Sequence, residues 1–403
     1  VLVRLPRSGF AHPGGCLPPA APPGRRSSRS QNRWPLEPPP EVSQDRRRSN
    51  HSRVGGSDPS AKELPTLPQL RLLTRDVPQA GPSVQAIAVY AHPVSAGHGV
   101  PDQLRPANEQ GFEGVACVDD AARAIVLYCR ATADGRDPSA RTSALKLLRF
   151  LAYMQGEDGC FINFITDWTG RKNLTGSTSL PGGSPWQARA VHALACGVAM
   201  FGGDEWAERF DRALPWVDQA TPYMDVRAVG LLAVLQHWQA TGSPESAERC
   251  IAWGAEIARV RDGDRLLNVA GEQSIHLWGH LQETALAQTG RLLGRPGLVA
   301  TARDSADTLL IPAADALAAA PHVLPFEVSC VVSGLTAVAQ ATADPSYSEA
   351  AARARAWFSG RNSAATPVYD RALGLVYDGI DEGRVSRNSG AESNIEGALA
   401  LLR

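Results

Sequence analysis

Apolar residues recur at helical spacing through most of the chain, and the helices they predict come in pairs. Between residues 138 and 155, for example, Leu147, Phe150, Leu151 and Met154 fall on one face of a helix. The predicted pairs are 120–133 with 138–155, 185–202 with 204–219, 225–241 with 243–260, 277–294 with 296–319, and 328–343 with 345–359. A last helix begins near residue 390. Helical hairpins repeated at intervals of tens of residues predict one helical array.

The two helices of each pair differ in character. The first member, as in residues 226–235, consists of small and apolar residues and should be buried on most sides, whereas the second carries more charge and should face water. This alternation predicts an all-α fold, an (α/α)6 toroid with inner and outer rings of helices. Six pairs need about twelve helices and the pattern supplies eleven. Either the last outer helix is lacking, or the segment around Leu70–Arg75 fills its place.

Long loops are predicted at one end of the ring. Connections within a pair are short and rich in glycine and proline, whereas three connections between pairs, near 156–184, 261–276 and 360–389, are long. All three lead into an inner helix, so they should lie where the inner helices begin. We call this end the mouth, and we expect it to carry the functional residues while the opposite end is trimmed to short turns.

Residues 1–60 are rich in arginine and proline, although the whole chain has a formal net charge of −1. Because this stretch lacks periodic apolar residues, we predict a disordered extension over 1–76, followed by a single domain over 77–403. No aromatic platform accompanies its arginines, which argues against a nucleic-acid partner. Neither a signal peptide nor a long apolar run is visible, so we expect a cytoplasmic protein without membrane contact. Seven scattered cysteines without Cys-x-x-Cys spacing predict buried free thiols.

Three phrases of the sequence resemble a known superfamily. They are Val118–Ala124, Gln155–Phe164 and Trp186–Ala190. Together they resemble the six-hairpin glycosidase-like toroids, in particular bacterial members found beside or fused to glycosyltransferases, in which the first phrase often reads Asp-Asp-Asn-Ala-Arg-Ala. Ala121 stands here in place of that asparagine. The resemblance implies an (α/α)6 barrel that acts on an oligosaccharide or polysaccharide, with a glycosyltransferase as a candidate partner.

Carboxylates at the mouth are the candidate catalytic groups. Hydrolysis of a glycosidic bond needs one group to protonate the leaving oxygen and another to activate water or attack the sugar. The candidates are Asp119, Asp120, Asp225, Glu283 and Glu392. We favour Asp120 and Glu392 as the acid/base pair, because they open the first and last inner helices, which become neighbours when the ring closes. Helix capping is the alternative for the acids at helix starts, and an ion pair with Arg189 or Arg227 is the alternative for Glu283.

Further residues at the predicted mouth are candidates for substrate binding. Aromatic rings could stack on the C–H faces of a sugar, and arginines could orient the acids or contact substrate. The candidates are Arg123, Asn163, Phe164, Trp186, Arg189, Arg227, Trp278, His280 and Asn394. His276 and His280 are four residues apart, but no third ligand follows at suitable spacing, so we predict no metal and no cofactor.

We predict a glycoside hydrolase, and a non-catalytic glycan-binding or accessory domain of a glycosyltransferase system is the main alternative. Two unpaired carboxylates about 5–10 Å apart would favour hydrolysis, whereas acids all tied to arginines would favour binding. A lyase or epimerase using His280 with Tyr369 or Tyr377 is a further alternative. An isoprenoid enzyme is disfavoured, because Arg123 stands where its Asp-Asp-x-x-Asp motif needs an acid.

Overall fold

The computed structural model describes residues 65–92, 103–104, 112–135, 137–181 and 184–402, so residues 1–64 of the extension expected over 1–76 lie outside the described residues. The helices are α1 (Leu67–Leu73), α2 (Val118–Ala133), α3 (Ala140–Met154), α4 (Ser184–Phe201), α5 (Asp204–Val217), α6 (Met224–Thr241), α7 (Pro244–Arg259), α8 (Gln282–Leu292), α9 (Pro296–Ser305), α10 (Ile311–Ala316), α11 (Pro325–Thr342), α12 (Pro345–Arg355) and α13 (Ala391–Leu401).

Short antiparallel strand pairs decorate the helices. They are β1 (Thr74–Asp76) with β2 (Gln85–Ile87), β3 (Ala91–His92) with β4 (Gln103–Leu104), β5 (Ala116–Cys117) with β6 (Phe164–Ile165), β7 (Arg261–Asp262) with β8 (Arg265–Leu266), β9 (Tyr369–Asp370) with β10 (Leu375–Val376), and β11 (Gly379–Asp381) with β12 (Arg384–Ser386). Three of the pairs and strand β6 lie in the three long loops, so these loops carry small strands of their own.

Six helices close into an inner ring. Helices α2, α4, α6, α8, α11 and α13 pack side by side in that order, and α13 returns to α2. The outer layer consists of α3, α5, α7, α9 and α12, each packed on the inner helix that precedes it in the chain. The predicted all-α (α/α)6 toroid is therefore confirmed.

The outer partner of α13 comes from the start of the described chain. Helix α1 packs beside α13 and buries Leu67, Leu70 and Leu73. The hydroxyl of Thr66 donates to the carbonyl of Asn394 at 2.9 Å, which ties the two segments together. The segment around Leu70–Arg75 thus fills the gap in the ring. The expected domain boundary at residue 77 lies too late, because residues 65–76 are already packed into the toroid.

Small residues on the inner helices allow the outer helices to approach closely. A Cβ atom added at Gly230 of α6 would lie 2.8 Å from Val217 and 3.2 Å from the Trp253 ring. The turn after α6 is built from stop and start signals: Gly242 adopts φ 71°, and the Ser243 hydroxyl accepts the backbone N–H of Ser246 at 3.2 Å.

The fourth pair of helices departs from the prediction. Helix α8 begins at Gln282 instead of residue 277, because Gly279 adopts φ 78° and breaks the helical path. Its outer partner is interrupted by a π-helical turn over Ala306–Leu310, before α10.

No helix in the described part of the chain has the length and apolar content needed to cross a membrane. The cysteines described are free thiols, all buried except Cys129, which is partly exposed.

Candidate functional site

Two arginines and three carboxyl groups meet at the mouth, where α2, α4 and α13 begin. We call Asp119, Arg123, Arg189, Glu392 and Glu396 the arginine cluster. Arg123 Nη2 lies 2.7 Å from Asp119 Oδ2, and its Nη1 lies 2.8 Å from Glu392 Oε2 and 3.6 Å from Glu396 Oε1. Arg189 donates to both carboxylate oxygens of Asp119. The first and last inner helices are therefore linked through Arg123, as ring closure requires.

The carboxyl groups of the arginine cluster differ in pKa and in exposure to solvent. Burial acts to raise the pKa of Asp119, but Arg123 and Arg189 outweigh it and lower that pKa to about 2. For Glu396, burial dominates and raises the pKa, although Arg123 and a hydrogen bond from Ser329 oppose it. Glu392 stays the most accessible of the acids, with 42% of its side chain exposed.

Phe326, at the start of α11, lies beneath the two arginines. The guanidinium carbons of Arg123 and Arg189 are 4.8 and 5.6 Å from the centroid of its ring. Both distances are within the range of a cation–π contact. The ring is 5% exposed. It forms a floor that supports the arginine cluster from inside the barrel.

Asp120 follows Asp119 but is enclosed at the base of α2. Its Oδ2 accepts a hydrogen bond from the Cys117 thiol at 3.3 Å, and the residue is 4% exposed. Burial raises the pKa of Asp120 to about 7; the charges of Asp119 and Glu392 add to the effect and Arg123 opposes it. The capping interpretation does not hold for either aspartate, because the N-cap of α2 is Cys117, whose sulfur accepts the Asp120 N–H at 3.4 Å.

Asp225 lies on α6, across the inner ring from α13. A Cβ atom added at Gly279 would lie 3.9 Å from Asp225 Oδ2, 4.0 Å from Arg189 Nη2 and 3.8 Å from the Phe326 ring, so this glycine occupies the space among them. Burial raises the pKa of Asp225, while the backbone of Val226 favours its charged form. Its buried Oδ1 has no hydrogen-bond partner among the described residues, so it does not act as a satisfied helix cap.

Glu283 and His280 form an enclosed pair beside the mouth. His280 Nε2 lies 3.0 Å from Glu283 Oε2, and the Ser305 hydroxyl donates to Glu283 Oε1 at 2.6 Å. His280 Nδ1 faces Asn268 Oδ1 at 2.7 Å. Burial opposes ionisation of Glu283, but His280 outweighs it and lowers the pKa of this acid. His280 is 1% exposed and Glu283 is 0% exposed. Through the contacts with Asn268 and Ser305, this pair ties the 261–281 loop to α8 and α9. The partner of the Glu283 carboxyl group is His280, not Arg189 or Arg227.

Several predicted binding residues are instead engaged by the scaffold. Arg227 points outward: it donates to the carbonyls of Val217 and Gln219 and lies 3.0 Å from Glu256. The Asn394 side chain donates to Ser389 and Gly390 and accepts the Val376 N–H, and it is completely buried. The structure does not bring Arg227, Asn394 or the enclosed His280 to the open mouth.

The predicted aromatic residues divide in the same way. Trp186 is 7% exposed and its indole N–H donates to the carbonyl of Phe161, and Phe164 is equally buried in β6. Asn163 accepts the Asp119 N–H at 3.2 Å and so positions the start of α2. Trp278 is partly exposed and stacks on His276, with ring centroids 3.9 Å apart. Among the predicted rings, Trp278 is thus the one open to a ligand.

The two tyrosines considered as partners of His280 bond to other parts of the chain. The Tyr369 hydroxyl donates to the Pro65 carbonyl and the Tyr377 hydroxyl to Asp370, so neither tyrosine meets His280. Over the described ranges, no group of three His, Cys, Asp or Glu residues is placed to hold a metal ion.

Phe326 and Glu396 belong to the site although the sequence reasoning missed them. Glu396 follows Glu392 by four residues and therefore shares its helix face, which was an available signal. Phe326 follows Pro325 at a helix start and carries no such signal.

The closed ring of six inner helices with an outer layer is an (α/α)6 toroid, and several solved structures share this fold. A D-mannose isomerase has a TM-score of 0.61 at 12% identity, covering 86% of this chain and 96% of its own. The cellobiose 2-epimerase from Spirochaeta thermophila has a TM-score of 0.62 at 14% identity, covering 85% and 94%. A family 9 endoglucanase, J30, has a TM-score of 0.51 at 12% identity, covering 88% and 86%.

These neighbours are carbohydrate-active enzymes, and at such identities the likeness establishes the fold alone. The sequence itself matches no protein-family model and no curated protein.

Proposed function

We propose that this protein is a carbohydrate-active enzyme that hydrolyses glycosidic bonds, with Asp225 as general acid and Glu392 as general base. The observation that carries the proposal is the different environment of these two acids. Asp225 has a raised pKa and an unpartnered buried oxygen, whereas Glu392 is paired with Arg123 and partly exposed. Carboxyl groups held in contrasting environments are what an acid/base pair requires.

The ring places these two acids on opposite inner helices. Adjacent helix axes are roughly 9–10 Å apart, so opposite axes of a six-helix ring are about 19 Å apart. Side chains extend about 5–6 Å from each axis, so two carboxyl groups that both point toward the ring axis would be about 8 Å apart. A separation of about 6.5–9.5 Å leaves room for a water molecule and is typical of inverting hydrolysis.

Asp120 was the acid favoured from sequence, and that assignment stays a prediction. We prefer Asp225 because a general acid must come within hydrogen-bond reach of the substrate. Asp225 is partly exposed, while Asp120 is 4% exposed and bonded to Cys117. The arginines act as positioning residues, since Arg123 holds Glu392 and Arg189 holds Asp119. Trp278 offers a ring for stacking on a sugar.

One observation favours catalysis over glycan binding alone. Asp119 and Glu392 are tied to arginines, as a binding domain would allow. Asp225, however, makes no ion pair within the part of the chain that the structure describes. A buried carboxyl oxygen without a partner, on a group with a raised pKa, is expensive to maintain without a chemical role.

The test is a screen of purified protein against α- and β-linked oligosaccharides, with products followed by NMR and by reducing-end release. Hydrolysis is expected, and Asp225→Asn and Glu392→Gln should each reduce turnover at least about 100-fold. Asp120→Asn should retain activity, and Glu205→Gln on outer helix α5 is the matched surface control. Epimerised or isomerised products without hydrolysis, or glycan-array binding without turnover, would contradict the proposal. Loss in Asp120→Asn but not in Asp225→Asn would return the acid role to Asp120.

A further inference from the structure

A cavity of about 490 Å³ lies on the axis of the inner ring. We call it the axial cavity. All six inner helices line it, and it extends to Asp134, Gln239, Gln340 and Leu402, at the ends of α2, α6, α11 and α13. It therefore reaches the end of the barrel opposite the mouth. The expectation that this end is merely trimmed to short turns is incomplete, because short turns leave the cavity accessible.

The arginine cluster separates the axial cavity from the mouth. Arg123, Arg189, Glu396 and Phe326 line the inner end of the cavity, whereas Asp225, Trp278 and Glu392 do not line it. The Phe326 ring and the two guanidinium groups stacked on it form the partition. A molecule in the axial cavity would thus occupy a different site from a substrate at the mouth.

The walls combine uncharged polar groups with apolar side chains. Amides come from Gln236, Gln239, Gln288 and Gln340, and hydroxyl groups from Thr284, Ser329, Ser333 and Thr336. Burial, reinforced by Arg130, lowers the pKa of His192 to about 3, so this ring is a neutral donor and acceptor. Between these groups lie valine and leucine side chains. Amides suit sugar hydroxyls, which both donate and accept, and the apolar strips suit sugar C–H faces.

One wall residue carries a polar atom with no partner. Thr284 is 1% exposed, and its Oγ1 makes no hydrogen bond to the described residues. An unsatisfied buried hydroxyl costs about 1–3 kcal/mol, so it is uncommon unless a ligand completes it. Thr284 is on the first turn of α8, where the preceding segment offers no helical carbonyl four residues back.

The charges around the cavity argue against an ionic ligand. Arg123, Arg189 and Glu396 are neutralised within the arginine cluster. At the outer rim, Arg130, Asp134 and Arg355 bring charges of both signs, and Arg355 also donates to the Ala400 carbonyl. Because the inner helices end here, their dipoles are unfavourable to anions.

We propose that the axial cavity is a binding site for a neutral sugar, a mono- or disaccharide, separate from the catalytic mouth. Its volume falls in the range of about 300–1,000 Å³ that is typical of small-ligand sites. This proposal does not depend on hydrolysis at the mouth, so either can fail without the other.

Cys129 provides a local reporter for the test. It lines the cavity and is partly exposed, while the other cysteines that the structure describes are buried. A Cys16→Ser background removes the remaining cysteine of the sequence. The rate of Cys129 alkylation by iodoacetamide is measured by peptide mass spectrometry, with D-glucose, D-mannose, maltose or cellobiose as probe and inorganic phosphate as the anionic comparison. At ten times the Kd of a bound sugar, about one cavity in ten is free, so alkylation should slow roughly tenfold.

Three variants locate the effect. Gln288→Leu within the cavity and Gln239→Leu at its rim should each abolish most of the protection, and circular dichroism checks that both are folded. Trp278→Ala at the mouth should leave the protection unchanged. The proposal is overturned if none of the four sugars protects Cys129, if phosphate protects it instead, or if protection is lost in Trp278→Ala but kept in both glutamine variants.

Discussion

Replacing two adjacent aspartates by asparagine should change stability in opposite directions. Burial raises the pKa of Asp120 from its ordinary value of 3.8 to about 7. At pH 8 the folded protein must therefore hold an ionised carboxylate in an environment that favours the neutral acid. The difference of about three pH units corresponds to about 4 kcal/mol of destabilisation, since one unit is worth about 1.4 kcal/mol. Asp120→Asn supplies a neutral group and removes this penalty.

The sign follows from proton binding. Between pH 4 and pH 7 the folded state holds a proton on Asp120 that the unfolded state has released, so stability falls as pH rises. The Asp120→Asn variant should thus match the parent near pH 4 and exceed it by on the order of 4 kcal/mol at pH 8. Asp119 behaves in the opposite way, because its pKa is lowered to about 2 and its ion pairs contribute stability above pH 4. Asp119→Asn should lose about 2–3 kcal/mol at neutral pH.

Urea unfolding at pH 4.5, 6 and 8, followed by circular dichroism, measures both variants against the parent. Equal destabilisation by the two substitutions at pH 8 would refute the reasoning. So would an Asp120→Asn variant whose advantage does not grow between pH 4.5 and pH 8.

Two further substitutions examine the buried polar groups. Glu283→Gln removes the carboxylate that pairs with His280 and Ser305, and it should reduce the free energy of unfolding by about 3–5 kcal/mol at pH 7. Because the pKa of Glu283 is lowered, this loss should shrink as pH falls, and urea unfolding at pH 7 and pH 4 would expose a loss independent of pH. Thr284→Val should stabilise the sugar-free protein by about 1–3 kcal/mol, because it removes a buried hydroxyl that has no hydrogen-bond partner among the described residues. It should weaken sugar protection of Cys129, and unchanged protection would exclude a role for that hydroxyl.

The fold was largely predictable because it depends on periodicity and residue size. The predicted helices 185–202 and 225–241 agree with α4 and α6 to within a residue. The start of the fourth inner helix was misplaced because the turn at Gly279, where φ is positive, interrupts a sequence that otherwise has helical spacing. The sequence also did not decide whether the last outer helix is lacking or whether α1 takes its place, since that depends on long-range packing between α1 and α13.

The site was less predictable because the sequence of a helix that is apolar on all sides does not show which of its faces points into the ring. Helix α6 is buried on most sides, so the sequence does not reveal that Arg227 points outward to Glu256 while Asp225 lies near Arg189. Burial of Asp120 beside Cys117 and burial of His280 beside Glu283 likewise arise from loops that fold back from distant positions. Asp119 and Glu392 were recognisable as acids at inner-helix starts, but Glu396 was missed and the pairing of these acids required three-dimensional contacts.

The most direct test of the proposed hydrolysis is the leaving-group dependence of Asp225→Asn. A general acid is needed when the departing oxygen is basic, and it matters little when the leaving group is an acidic phenol. On a disaccharide that the parent cleaves, the variant should lose about 10²–10⁴-fold in kcat/KM. On the 2,4-dinitrophenyl glycoside of the same sugar, the loss should be less than about tenfold. Equal losses on both substrates, or full activity on the disaccharide, would contradict the assignment of Asp225 as the proton donor.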